Sequence, residues 1–248
     1  MALKLTIDQG NTAVKTGVWR DDSLIGYDSR RELDADAIIC FADKICGHGG
    51  KFDAAIYSTV TARDERIVDA VASRSSRFIE LSASTPLPLT IGYRTRETLG
   101  LDRVAAVAGA IGMAPQGAWT LVVDLGTAIT YDVLSADGVF VGGNIAPGIF
   151  MRLEALNAFT ARLPLVETDG DCPLWGYDTE TALRAGAING VVAEILYYRS
   201  QLPGDDRTVV LTGGSAELVA GRLDFDVTID HNLVLKGLNS IINHNEII

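Results

Sequence analysis

Only three cysteines occur among the 248 residues, Cys40, Cys46 and Cys172. They make no Cys-x-x-Cys pair and leave one unmatched, so a disulfide framework is not expected and the thiols are read as reduced and mostly buried. The three histidines, His48, His231 and His244, are scattered with no cysteine pair nearby, which removes the usual zinc ligand sets. No Gly-x-Ser-x-Gly elbow is present for a serine nucleophile. Gly47-His48-Gly49-Gly50-Lys51 lacks the glycine spacing of a phosphate loop and is followed by Phe52 instead of Ser or Thr, so it reads as a surface turn. Basic residues are in deficit, 21 against 32 acidic, for a net charge of −11, and no Lys/Arg cluster interrupts that balance. Nucleic acid is therefore not an expected partner. No apolar run approaches the ~18 residues of a membrane span. Met1 to Thr12 has neither a basic stretch nor an apolar leader, so a cytoplasmic location is expected.

What is present is a repeated short signature. Asp8-Gln9-Gly10-Asn11-Thr12 and Asp124-Leu125-Gly126-Thr127 lie 116 residues apart, and Asp-x-Gly-[Asn/Thr] occurs nowhere else. Each closes an apolar β-like run, Leu3 to Ile7 or Thr120 to Val123, and each is followed by a second such run. Glycine lets backbone approach a ligand closely, the next Asn or Thr offers a donor, and the N–H groups of the turn converge on an anion. A carboxylate beside phosphates would be repelled unless a cation or its water shell stood between them, so the pair points to metal-assisted phosphate binding by a duplicated half.

The first half reads as a strand pair over 3–19, a short strand at 27–30, a helix at 34–47, a strand at 53–59, a helix at 64–75 and a strand at 77–81. Mixed elements of this length imply an α/β fold with each sheet covered by helices. The segment Ser84 to Leu89 carries two prolines and is expected to be extended. Asp102 sits at an expected N-cap, ahead of an Ala-rich helix that Pro115 ends. The second half repeats the scheme: a strand pair over 119–134, a strand at 139–142, a loop from Gly142 to Gly148, and helices at 149–162 and 178–201. A strand at 208–211 then leads through Thr212-Gly213-Gly214 to a helix at 216–222. Loops that open helices are natural seats for phosphates. The hinge is placed at 115–117, dividing the chain into halves 1–116 and 117–248.

Taken in order, Asp8-x-Gly-Asn-Thr12, Ser58-Thr59-Val60, Tyr93, Gly100-x-Asp102-Arg103, Asp124-x-Gly-Thr127, Gly142-Gly143-x-Ile145-x-Pro147-Gly148, Thr179 with Gly186, and Thr212-Gly213-Gly214 resemble type III pantothenate kinase over nearly the whole chain. That family belongs to the acetate kinase, sugar kinase, Hsp70 and actin superfamily. The resemblance implies duplicated actin-like (ribonuclease H-like) domains with an interdomain nucleotide cleft. It implies ATP-dependent phosphorylation of pantothenate to 4'-phosphopantothenate, the first step of coenzyme A biosynthesis.

The same resemblance assigns roles. Asp102 is implied as the general base, and Tyr93, Gly100, Leu101, Arg103 and Thr179 as lining the pantothenate pocket, with Thr179 reaching the site of the partner in a homodimer. Asp8 would hold Mg²⁺ through water, while Gly10, Asn11, Thr12, Gly126 and Thr127 cradle ATP phosphates. Asp124 is implied as the ligand of a monovalent cation, K⁺ or NH₄⁺. Lys15 either adds a cation at the phosphates or faces solvent, and Tyr93 is open to a core role. ATP approaching so acidic a chain would need these local groups to offset the overall repulsion.

Two segments depart from the common pattern of the family. Thr61-Ala62-Arg63 stands where many members have a proline, and Thr95-Arg96 where many have Asn-Pro. Two other functions fit the same fold: a different small-molecule kinase of the superfamily, and a non-catalytic regulatory relative. The segment from Tyr93 to Arg103 argues against the first, and the joint presence of Asp8, Asp102 and Asp124 against the second.

Overall fold

The computed structural model describes residues 1–31, 34–47 and 49–247. The chain forms two compact units, one made of Met1–Ile111 together with the chain from Asn232 onward, the other of Gly112–His231.

The first unit begins with a meander, β1 (Leu3–Gln9), β2 (Val14–Arg20) and β3 (Ser23–Arg30), longer in its third strand than the sequence suggests. Helix α1 (Ala35–Cys46), strand β4 (Phe52–Thr59), helix α2 (Glu65–Ala72) and strand β5 (Ser75–Glu80) follow. Asp34 and Asp64 start the helices by accepting from backbone N–H groups two and three residues ahead, which satisfies donors that the first turn leaves unpaired. The strand order is β3-β2-β1-β4-β5, antiparallel among the first three and parallel from β1 outward. Its core gathers Leu5, Ile7, Val18, Phe52, Tyr57 and Ile67. After the short β6 (Thr90–Ile91) comes α3 (Leu101–Ala110). This helix stops well before Pro115: Ile111 leaves the helical conformation and Gly112 takes φ 79°.

The second unit contains β7 (Trp119–Leu125), β8 (Ala128–Leu134), β9 (Val139–Pro147), α4 (Ile149–Phe159), α5 (Thr179–Gln201), β10 (Arg207–Thr212), α6 (Ala216–Ala220) and β11 (Thr228–Ile229). Within it the strands run β9-β8-β7-β10-β11, again an antiparallel meander extended by parallel strands. The two units therefore share one topology, and each Asp-x-Gly turn joins the first two strands of its meander. The core is built on Leu121, Val123, Leu125, Ile129, Tyr131, Ile188 and Ile195.

Several expectations need correction. The loop expected from Gly142 is strand as far as Pro147, because these residues continue to pair with β8 down to Ala128. No element past Arg222 is anticipated in the sequence reading, yet α7 (Leu233–Ile247) is a full helix and returns to the first unit, where it packs on α3. The contacts thus group the C-terminal helix with residues 1–111, whereas the expected division assigned it to 117–248. The crossing is close: a Cβ added at Gly237 would lie 1.8 Å from the Ala105 carbonyl oxygen, and one at Gly109 would lie 2.2 Å from that of Leu233. The thiols are not mostly buried, since Cys40 is exposed and Cys46 and Cys172 half-buried. Of the expected surface turn, Gly47 is the exposed C-cap of α1 with φ 87°, and His48 lies outside the described residues. Among the described residues no helix is long and apolar enough to cross a membrane.

Candidate active site

At the end of β1 the first turn places its chemistry by strand register. Asp8, only 6 % exposed, stands opposite Lys15 on β2 and opposite Ser58 on β4. Directly opposed residues project from the same face of a sheet, so the half-buried Lys15 shares the face of Asp8. The turn closes through the Gly10 N–H donating to the Ala13 carbonyl at 3.0 Å, which leaves Asn11 and Thr12 exposed at its tip. Ser58 is fully buried, and its hydroxyl has no hydrogen-bond partner among the described residues. An unpaired buried hydroxyl is costly, and one beside a carboxylate and an exposed turn suits a hydrated cation.

The second cluster of this unit sits at the start of α3. The N-cap is Gly100, without a side-chain cap, and Asp102 is the second helical residue rather than the cap. Its Oδ1 accepts from the Arg103 N–H at 2.8 Å, still within the first turn where the helix dipole favours negative charge. A Cβ at Gly100 would fall 2.5 Å from that same Oδ1, so the space Asp102 occupies depends on glycine. Arg103 is 5 % exposed, and its guanidinium carbon lies 5.8 Å from the centre of the half-buried Tyr93 ring, within cation–π range. Tyr93, Gly100, Leu101, Asp102 and Arg103 are thus brought together as a local constellation.

In the second unit Asp124 is the penultimate residue of β7 and is in register with Thr212 of β10, as Asp8 is with Ser58. Two glycines press on this turn. A Cβ at Gly213, where φ is 89°, would be 2.6 Å from Asp124 Oδ1 and 2.5 Å from the Leu125 carbonyl carbon, and one at Gly148 would be 2.3 Å from the Thr127 carbonyl oxygen. The Gly148 N–H donates to that oxygen at 3.0 Å, and the Ser215 N–H to the Leu125 carbonyl at 3.2 Å. The ends of Gly142-to-Gly148 and of Thr212-Gly213-Gly214 therefore both meet the turn that follows β7 through backbone approach, Gly148 as the N-cap of the eleven-residue α4. Helix α6 spans only five residues. The sequence singles out both loops, but not their approach to this turn, which pairing of β7 with β10 sets for Gly213 and pairing of β8 with β9 sets for Gly148.

Thr179 belongs to the second unit, as the exposed first residue of α5, whose start is fixed by a capping box between Asp178 and Thr181. Hydrogen bonds from the helix N-terminus hold the Asp178 carboxyl below its ordinary range. Deeper in this unit the Tyr131 hydroxyl donates to Glu194 at 2.5 Å and Arg152 to the same carboxylate oxygen at 2.7 Å. Burial, reinforced by the Glu194 hydrogen bond, pushes the Tyr131 hydroxyl pKa far up. Burial acts to raise Glu194 as well, but the Arg152 and Tyr131 hydrogen bonds outweigh it and hold that carboxyl low. No group of three or more His, Cys, Asp or Glu side chains able to hold a metal is found among the described residues.

The sequence family of type III pantothenate kinases matches residues 4–201. The chain belongs to the type III pantothenate kinase family. Curated relatives carrying that name include one from Porphyromonas gingivalis, 40% identical over 250 residues that cover 99% of this chain and all of the relative. Another, from Bacteroides fragilis, is 40% identical with 98% of each chain covered. Among solved structures, a protein from Campylobacter jejuni described as a Baf family transcriptional activator superposes with TM-score 0.66 at 23% identity, covering 98% of this chain and 100% of the other. The activator of 2-hydroxyisocaproyl-CoA dehydratase from Clostridium difficile superposes with TM-score 0.56 at 12% identity over 98% and 95% of the two chains. At those identities the structures establish the fold alone, and that fold is the actin-like ATPase fold with two mixed sheets covered by helices. A pantothenate kinase of this family is an ATP-dependent enzyme, which fits two Asp-x-Gly turns at equivalent positions of a duplicated sheet.

Proposed function

We propose that Asp102 is the general base of this pantothenate kinase, with Tyr93, Gly100, Leu101 and Arg103 forming its substrate pocket. The reaction is phosphorylation of pantothenate by ATP in coenzyme A biosynthesis. The observation that carries the residue reading is the start of α3, where Gly100 leaves room for the Asp102 carboxylate and Arg103 is held beneath Tyr93. Asp102 accepts a hydrogen bond from the primary hydroxyl of pantothenate and directs its oxygen at the γ-phosphorus. The transition state of phosphoryl transfer is loose, so the proton leaves late and orientation of the nucleophile matters more than basicity. Arg103, buried and cationic, pairs with the pantothenate carboxylate or with developing charge on the transferred group.

In this reading Gly10, Asn11 and Thr12, with Lys15 beside them, and Gly126 and Thr127 are the residues that would hold ATP phosphates. Asp8 fits Mg²⁺ held through water, because one buried carboxylate and the unpaired Ser58 hydroxyl suit an ion that keeps much of its water shell. Asp124, under the close backbone of Gly213, fits a monovalent cation, K⁺ or NH₄⁺. When bound, such ions neutralise phosphate charge next to these carboxylates. The enzyme is read as a homodimer with Thr179 reaching the partner's pantothenate. In support of this, the second unit exposes Phe150, Trp175 and Tyr177, the latter two at 82% and 71%.

The test is Asp102→Asn, assayed for ADP release with pantothenate. The amide keeps the shape but takes no proton, so turnover should fall on the order of 10²-fold or more with ATP binding nearly intact. A near wild-type rate would remove Asp102 from the chemistry.

A further inference from the structure

We propose that Gln9 is a positioning residue for the nucleotide, locking the first phosphate turn to the loop between β4 and α2. This inference rests on the reading of the Asp8 turn as a phosphate site. Gln9 lies between Asp8 and Gly10 and is 1 % exposed at the very end of β1. Neighbouring side chains on a strand point to opposite faces, so with Asp8 turned one way the Gln9 amide is turned the other.

There both of its amide donors and its carbonyl oxygen are engaged. The carboxamide oxygen accepts from the Tyr57 hydroxyl at 2.5 Å. The carboxamide nitrogen donates to Thr61 Oγ1 at 2.7 Å and to the Ala62 carbonyl at 2.8 Å. The backbone carbonyl of Gln9 accepts from the Val60 N–H at 3.2 Å. Tyr57 extends the chain of bonds, its hydroxyl accepting from the Asp64 N–H at 3.2 Å, and Asp64 caps α2. One amide thus joins the phosphate turn, the loop after β4 and a helix start.

The polarity of the link is fixed. A carbonyl can only accept, so the group facing Ala62 must be an N–H donor, and glutamate in place of Gln9 would set two oxygens against each other. The loop segment Thr61-Ala62-Arg63 contains no proline, so its shape is not held by a restricted backbone. Gln9 holds it instead, and with it the position of Gly10 and of Ser58 two residues upstream of Val60. A turn that binds phosphate through backbone N–H groups loses affinity when those groups are free to wander.

The experiment compares Gln9→Glu, Thr61→Val and Asp8→Ala with the wild type. It measures melting temperature, the KM for ATP, the KM for pantothenate, and calorimetric affinity for a magnesium complex of a non-hydrolysable ATP analogue. Gln9→Glu should raise the KM for ATP roughly tenfold and weaken analogue binding in parallel, with the KM for pantothenate within about twofold. Thr61→Val, at an exposed residue, folds normally and should shift nucleotide affinity about threefold in the same direction. General destabilisation would lower the melting temperature and the active fraction without this selectivity for nucleotide. Wild-type nucleotide affinity in folded Gln9→Glu or, if that variant does not fold, in Thr61→Val overturns the proposal, provided Asp8→Ala binds the analogue weakly. Unchanged affinity in Asp8→Ala overturns the phosphate reading itself, and the proposal with it.

Discussion

Gly100 and Asp102 occupy one another's space: a single methyl on the glycine would lie 2.5 Å from the carboxylate oxygen of the aspartate. Gly100 has φ −56°, a conformation open to any residue, so the requirement for glycine there is room and not backbone freedom. Gly100→Ala should therefore turn the Asp102 side chain aside. We expect kcat to fall tenfold or more, with the KM for ATP within about twofold and the melting temperature within a few degrees, since small misplacement of a catalytic group is costly. Steady-state kinetics decide it; an unchanged kcat would show that Asp102 has no need of its present position.

The Asp124 turn carries the ion prediction. Activity should require Mg²⁺ and rise in K⁺ or NH₄⁺ over Na⁺, and Asp124→Asn should abolish the monovalent response while the variant remains folded. ADP release measured in the three chloride salts at equal ionic strength checks both points. Equal wild-type rates in all three salts would take the monovalent ion out of the account.

Stability of the first unit should depend on Gly237. A methyl there meets the Ala105 carbonyl oxygen at 1.8 Å, so α7 must back away from α3. Overpacking of this kind costs about 1–3 kcal/mol, or roughly 3–10 °C in melting temperature for a chain of this size. Thermal unfolding of Gly237→Ala tests it, and an unshifted melting temperature would contradict the close crossing.

The Tyr131–Glu194–Arg152 group predicts how stability responds to pH. Tyr131 has a raised pKa in the folded chain, so its contribution is complete below about 10 and is lost as pH rises past that value. Glu194 has a lowered pKa, so its contribution is complete above about 4.5 and is lost as pH falls toward the folded value. In melting curves from pH 3 to 11, the gap between wild type and Tyr131→Phe should narrow above pH 10. Glu194→Gln should flatten the acid limb. Gaps that stay constant across the range would mean that neither group titrates differently on folding.

The two Asp-x-Gly turns were legible in the sequence because strand, turn and strand are contiguous, and glycine with a following Asn or Thr announces the turn locally. So were the helices begun by Asp34, Asp64 and Asp178, whose caps are local hydrogen bonds. Local signals misled where partners lie far apart. Gly142 to Pro147 carries turn-forming residues, yet is strand because β8 supplies its hydrogen bonds.

The sequence by itself thus determined the duplicated turns, the family and the candidate residues Asp8, Asp102 and Asp124. Only the tertiary structure decided that Ser58 and Thr212 stand beside Asp8 and Asp124, that Gly213 and Gly148 close on the second turn, and that α7 returns to α3. The physical reason is common to all three. Strand pairing, parallel or antiparallel, and helix crossing join segments about twenty residues or more apart, and the approach is set by which backbones can come within contact distance, not by the propensity of any one segment.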